Sequence, residues 1–472
     1  MRPVVLLTLA VAAFVAVPAI PATAAPATAA PATATPATAA PATTGPLTAD
    51  EAVKIALEKS GSMVRSEASV LSARSGLWGA YSFVLPTVSA SGRRSGSFTQ
   101  ESRGTDAFGS LVFPSRTTDQ EAYAGSYGLS GQWPVLNPSG IVGLSSARAG
   151  MKAADLGHKA SRADVRLATK QRFYSAVKAM HLSRVQSRAL KLARDDERRV
   201  RALFEVGSVS KSDLLKAQVR TASAQLDSTL ADHDVVTQRE LLAEQLGIPA
   251  AQLGEVDSTL SNEHETIDPT GILEEARKNR PDIQAAEASV KSAELALRSA
   301  HWARLPSVVL SGSWTPQSTS SSHFNVDFVS PIDSVQNASN KTKGDVRGAV
   351  AVSMPIFDGF AIDSRVAEAR SQLLNAKETR DALMRNLEGE VRQTLLGYQE
   401  AGEREALSRR AVESASENMN LVQQKYNVGS ATILDLIDAQ LQLQRSASEL
   451  VSALADIKVA EAAVDRVRGK GE

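Results

Sequence analysis

The chain of 472 residues contains no cysteine. That removes disulfides, thiolate nucleophiles, zinc–thiolate sites and a lipid anchor on an N-terminal Cys. Aromatic residues are scarce at 4%, and the formal net charge is zero. The balanced charge gives no reason to expect nucleic acid as a partner. After residue 17 no stretch reaches the roughly 18–20 uncharged apolar residues that a membrane-spanning helix needs. The six histidines (His158, His181, His233, His264, His301, His323) are scattered, with neither an i, i+4 pair nor an HExxH motif. No glycine-rich phosphate loop follows a strand, and no nucleophile elbow occurs. The expectation is a protein that is not an enzyme, with no catalytic residue, no cofactor and no metal.

What the chain has in quantity is Ala, Ser, Gln and Leu, a mixture suited to long helices. At the N-terminus Arg2 precedes an uncharged apolar run from Val4 to Val17, and Ala22-Thr23-Ala24 offers a cleavage signal. Residues 1–24 are therefore expected to be a cleaved export signal. Prolines at 21, 26, 31, 36 and 41, spaced by Ala and Thr, forbid a helix and offer no core. Residues 25–46 are expected to form an extended, disordered linker.

From there on the sequence says everything twice. VGSVSKSDLLKAQVRT begins at Val206 and VGSATILDLIDAQLQL at Val428, so Gly207 and Gly429 stand 222 apart. Glu67-Ala68-Ser69-Val70 recurs as Glu287-Ala288-Ser289-Val290, an offset of 220. LPTVSASG at 85–92 recurs as LPSVVLSG at 305–312, and WPVLN at 133–137 aligns with MPIFD at 354–358. Landmarks in one order at nearly constant spacing indicate a duplicated unit, with the same architecture in each half. The boundaries expected are a first repeat over 47–248, a connector over 249–268, a second repeat over 269–468 and a tail over 469–472.

Each half reads helix, strand, strand, long helix, helix. The first helix is expected to run from Thr48, an N-cap followed by acids, to about Phe83. Its counterpart is expected over about 269–304. In the strands, Tyr123, Tyr127, Leu129 and Trp133 share one face at period two. Val308, Leu310 and Trp314 do the same, and so do Val346, Val350, Val352 and Met354. Small or polar residues take the alternate positions. One apolar and one polar face suit a soluble two-layer sheet or strands with one side in lipid. Two features favour lipid: nothing else is apolar enough to cover the sheet, and Trp133, Trp314 and Tyr123 suit an interfacial girdle. Four strands are too few for the smallest membrane barrel of about eight, so a barrel would need several chains.

No proline interrupts 139–204 or 359–426, and about 65 residues at about 1.5 Å each make a rod near 100 Å. Asn137 before Pro138, and Asp358 at the matching place, are expected to cap these rods. Each rod ends at a Val-Gly-Ser turn from which a second helix returns. Leu436, Ala439, Leu443, Ser446, Leu450, Ala453, Ile457, Ala460, Val464 and Val467 alternate steps of three and four, the signature of a left-handed coiled coil. Leu182, Val185, Ala189 and Leu192 keep that step in the first half. The run Asp195-Asp196-Glu197-Arg198-Arg199 reads as a solvated helix face.

The duplicated order, the Leu-Pro strand starts, the capped long helices and the paired Val-Gly-Ser tips resemble the TolC-like outer membrane efflux proteins, over nearly all of 47–468. The most specific piece is YNVGSATILDLID at 426–438. The resemblance implies a mostly α protein with a small β part. Three protomers would pool two strand pairs each into an outer-membrane β-barrel, continued by a periplasmic α-helical barrel. It implies a passive exit duct for a tripartite efflux or type I secretion system, served by a periplasmic adaptor and an inner-membrane pump. By residue, it implies that Asp435 and Asp438 ring the periplasmic aperture, where three-fold crowding would raise their pKa values, and that Tyr426 helps latch it. The alternative role for Asp435, a first-turn acid steadying a helix N-terminus, is assigned to its repeat mate Asp213. Val206, Gly207, Ser208, Val428, Gly429 and Ser430 would contact the adaptor. Ala431 stands where the family carries a basic residue bonding across helices. A secreted coiled-coil scaffold without a channel is the competing class; it explains the heptads and the export signal but not two strand pairs at equivalent points.

Overall fold

The structure is a computed structural model that describes residues 46–102, 117–260, 271–326, 338–341 and 345–469. The expected signal segment, all but the last residue of the linker and most of the tail lie outside the described residues. The elements come in one order twice. Helices α1 (Ala49–Lys59) and α2 (Gly61–Tyr81) precede strands β1 (Thr87–Ser102) and β2 (Thr117–Leu136), then the long α3 (Pro138–Glu205) and the returning α4 (Lys211–Leu246). The second half follows with α5 (Ile272–Asn279), α6 (Pro281–Trp302), β3 (Ser307–Val326), β4 (Ala338–Lys341), β5 (Asp345–Ser353), α7 (Ala361–Asn427) and α8 (Ile433–Arg468).

The single opening helix expected in each half is two helices, broken at equivalent points. Ser60 leaves helical geometry at ψ 142° and accepts from the Met63 amide, capping α2. In the second half Arg280 takes this place, and Pro281 after it has no N–H to leave unsatisfied. Thr48 does cap α1, in a reciprocal box with Glu51.

The long rods have the expected length. Asn137 caps α3, accepting from the Gly140 amide at 3.0 Å. The matching cap of α7 is built differently from the expectation. Phe360 occupies the N-cap at φ 68°, following Gly359 at φ 65°, and Asp358 reaches forward to accept from the Ile362 amide at 2.7 Å. Two successive left-handed residues carry the chain out of β5 and into the rod, a turn only the first of them makes cheaply.

The strands form one antiparallel sheet in the order β1–β2–β3–β5, with β4 also on β3. Thr319↔Lys341 and Thr315↔Asp345 keep one register, so β4 and β5 are two pieces of a single fourth strand. Between Tyr127 and Leu129 the β2–β3 register slips by one, as Thr315 and Pro316 together oppose Gly128. A Cβ at Gly128 would lie 2.9 Å from the Trp314 carbonyl oxygen, so the bulge requires glycine there.

The helices stand side by side in a wall, α4 on α3, α3 on α8 and α8 on α7. Two compact clusters brace its middle. Phe173, Val177, Leu242 and Leu246 pack with α1 and the connector residues Leu253 and Val256; Ile272, Ile283, Leu387 and Val464 form a separate cluster in the second half. The connector is pinned by Leu47, which exchanges backbone hydrogen bonds with Glu255 and Asp257 at 2.6 and 2.9 Å. An ionic chain crosses between the halves: Arg280 to Glu390 at 2.6 Å, Glu390 to Arg466 at 2.5 Å, and Arg466 to Asp164 at 2.7 Å.

The heptad seam of α8 is largely buried, with Leu436, Ala453, Ile457, Val464 and Val467 inside. A second stripe (Ile433, Ile437, Gln440, Ala455, Ala462) is buried as well, because α8 packs on both α7 and α3. In α3 the expected seam is displaced. Leu192 is exposed, whereas Leu190, Ala193, Asp196 and Val200 are buried.

Candidate functional site

The two hairpin tips share one geometry. Gly207 sits at φ 75° and Gly429 at φ 77°. The amides of Gly207 and Ser208 turn back to Phe204 and Leu203, at 3.0 and 2.8 Å; those of Gly429 and Ser430 turn back to Tyr426 and Lys425, at 3.0 and 2.9 Å. This is the paired helix-end bonding that a left-handed glycine allows. Val206 and Val428 are left 75% and 79% exposed, so each turn presents a bare apolar side chain at its end.

Behind the tips, Val200, Ala217, Ile433, Leu436 and Ile437 form a small apolar cluster joining the two hairpins, with Tyr426 packed against it. Burial pushes the Tyr426 phenol up, helped by the negative charges of Asp196 and then Asp213. Asp435 and Asp438 are exposed on the opposite side of α8. The Asp435 carboxylate accepts from the Thr432 amide at 2.8 Å and hydroxyl at 2.7 Å. Those bonds, hydroxyl first, hold it below the usual carboxylate range. Asp213 is held down in the same way by the Ser210 hydroxyl. The capping role assigned to Asp213 alone thus belongs to both acids, and within one protomer the shift at Asp435 is downward rather than upward.

One buried polar residue was missed. Asp196, read as part of a solvated run, is only 8% exposed. It accepts from Gln440 Nε2 at 2.6 Å, and burial raises its carboxyl although Gln440 and Arg199 oppose the shift. Above it, Arg220 donates to Gln444 at 2.6 Å and Gln444 to Gln186 at 2.5 Å. The signal available in the sequence was position: Asp196 falls seven residues after Ala189 and four before the buried Val200.

The sheet separates its faces as the alternation predicts. Across the four strands Ala90, Leu129, Trp314 and Val346 form one row, and Trp133, Leu310 and Val350 another. Val308 pairs with Val352. The large side chains of this face are exposed, from 41% at Leu310 to 71% at Val346, apart from the half-buried Val308. Tyr123 lies in β2 opposite Gly96, and its side chain is outside the described residues. The other face is hydroxyl-rich: Ser89, Ser130, Ser313 and Arg347 align, with Ser89 and Ser130 hydroxyls 2.8 Å apart. At the helical end of the sheet Ile356, Phe357 and Phe360 are 97%, 79% and 70% exposed, and the two rings meet edge to face at 5.8 Å. This aromatic collar was not anticipated. Among the described residues no helix is long and apolar enough to cross a membrane, and no cluster of His, Cys, Asp or Glu could hold a metal.

A duplicated protomer with a one-sided apolar sheet set on a wall of coiled hairpins has the TolC-like fold. The model of the outer membrane efflux protein family matches residues 272–470, which is the second repeat. The chain is similar to Nodulation protein T of Rhizobium leguminosarum bv. trifolii, 26% identical over 269 residues. That match spans 56% of this chain and about half, 54%, of the relative. It is similar to the outer membrane protein TolC of Vibrio cholerae, 23% identical, with 70% of this chain and 73% of that one covered. In fold it matches the crystal structure of the CmeC outer membrane channel of Campylobacter jejuni at TM-score 0.74. That likeness covers 90% of this chain and 86% of that one at 17% identity.

Proposed function

We propose that three copies of the protein assemble into an outer-membrane duct that passively conducts substrates out of the cell. The repeats would be the units over 47–248 and 269–468 that build its wall. The observation that carries this reading is the sheet. Its apolar face is uncovered, and β1 and β5 are its unpaired edges among the described residues. An exposed sheet with open edges is unstable in water and in lipid alike, and closure removes both problems. Pairing β1 of one copy with β5 of the next would close twelve strands from three chains, with Trp133, Trp314 and the Phe357–Phe360 collar at lipid boundaries. The helical wall has matching edges. Leu215, Val219, Leu226 and Leu230 are bare on α4, as are Leu396, Leu407 and Leu421 on α7.

In such a ring the tips would project into the periplasm, where the exposed Val206 and Val428 turns suit contact with an adaptor linking the duct to an inner-membrane pump. The segment over 1–24 would direct export. Asp435 and Asp438, exposed on α8, would face the three-fold axis and form an acidic constriction that attracts cations and binds divalent ions. Asp435→Ala with Asp438→Ala is expected to raise basal conductance severalfold and weaken divalent block. Single-channel recording in a planar bilayer reads both, and unchanged conductance with unchanged block would remove the gate assignment.

A further inference from the structure

We propose that the buried pair Asp196–Gln440 positions the gate helix, tying α8, and with it Asp435 and Asp438, to α3 when the aperture is closed. The inference rests on the duct reading above. Asp196 and Gln440 are 8% and 6% exposed, a polar pair buried within this seam. Gln440 lies two residues beyond Asp438 and points the opposite way, into the wall. Nearer the tip the seam is purely apolar, Ile433 and Leu436 against Val200 and Ala217. Apolar contact is nondirectional and tolerates sliding. At Gln440 and Gln444 the seam becomes directional: every hydrogen bond those amides make there goes to α3 or α4, to Asp196, Gln186 or Arg220. A polar residue in a coiled-coil seam fixes register where apolar ones do not. Any motion that swings α8 off α3 must break these bonds together. Ala431 has no side chain that could tie the tip itself, which leaves the tie at this level.

The charge environment makes the pair addressable. The charged and titratable groups that face Asp196 are Asp195 and Arg199 on α3 and Tyr426 on α7. From α4, Asp213 acts on Tyr426, and Arg220 is committed to Gln444. From α8 comes the neutral Gln440 amide. Gln440→Glu would set a second carboxyl against Asp196. Two carboxyls in contact share a proton in acid and repel when both ionise.

The test is single-channel recording of wild type and Gln440→Glu in planar bilayers, with hydrogen exchange of residues 433–445 on the same preparations. The ratio of open occupancy, variant over wild type, is expected to rise about tenfold between about pH 5 and about pH 8, with faster exchange in α8. Taking the ratio removes pH effects that both proteins share. Should Gln440→Glu fail to assemble, Asp196→Asn and Asp196→Leu decide. Asparagine keeps an acceptor for Gln440 and leaves conductance within about twofold of wild type, whereas leucine raises it about tenfold. A flat ratio with unchanged exchange, or equal behaviour of the asparagine and leucine variants, overturns the positioning role. Exchange that follows pH in a protein that never conducts overturns the duct reading instead and leaves the tie standing.

Discussion

Asp196 carries opposite consequences for stability and for gating. Burial raises its folded-state pKa above the ordinary carboxylate value. The ionised form is therefore penalised on folding at any pH above the folded pKa, and the penalty vanishes below the unfolded one. Asp196→Asn removes that penalty and is expected to raise the melting temperature at neutral pH. The gain should disappear as pH falls through the carboxylate range, which thermal melts across a pH series would check. Asp435 runs the other way. Its pKa is depressed by Thr432, so the stabilisation is present above the ordinary carboxylate value and is lost as pH falls through the folded one. Thr432→Val should abolish that acid sensitivity at the tip. The capping box itself was legible, because Thr-x-x-Asp before an apolar run is a local signal. The burial of Asp196 was not: all four of its neighbours in the run are charged, and what covers it is α8, which lies 244 residues away in sequence.

Among the elements, α8 depends most on packing, since it is buried on two faces. Leu436 is fully buried where α8 meets the first repeat's hairpin. Leu436→Ala should cost about 2–5 kcal/mol, concentrated at the tips. Hydrogen exchange would then show fast amides near 200–217 and 426–440 with an unchanged sheet. Phe360 offers a second handle. A non-glycine residue at φ 68° is strained, and Phe360→Gly should relieve about 1 kcal/mol while taking a ring out of the collar. Melting in detergent should rise as recovery in the membrane fraction falls. The long rods and the α8 heptads were plain in the sequence because periodicity over 36 residues averages out local exceptions. The α3 seam was misplaced because α3 packs against α4, α6 and α8, and no single stripe serves all three. The breaks at Ser60 and Arg280 were signalled by Gly61 and Pro281 directly after them and were overlooked.

At the scale of the molecule, the duplication was the most legible feature, being a matter of register rather than propensity. The joining of the strand pairs through β2 and β3 was not, since their pairing spans some two hundred residues of intervening chain. The absence of cysteine makes assembly directly testable. Leu230 on α4 and Leu407 on α7 lie 23 and 22 residues from their tip glycines and are both bare. Within one chain α3 and α8 stand between these helices. Leu230→Cys combined with Leu407→Cys should therefore crosslink between chains on oxidation and yield a closed three-chain species, with neither single variant doing so. The measurement that bears most directly on the account is single-channel recording of the purified wild-type protein, with and without divalent cations. Discrete, cation-preferring steps blocked by divalent ions are the predicted result. A folded oligomer that never conducts would contradict the duct and favour a coiled-coil scaffold.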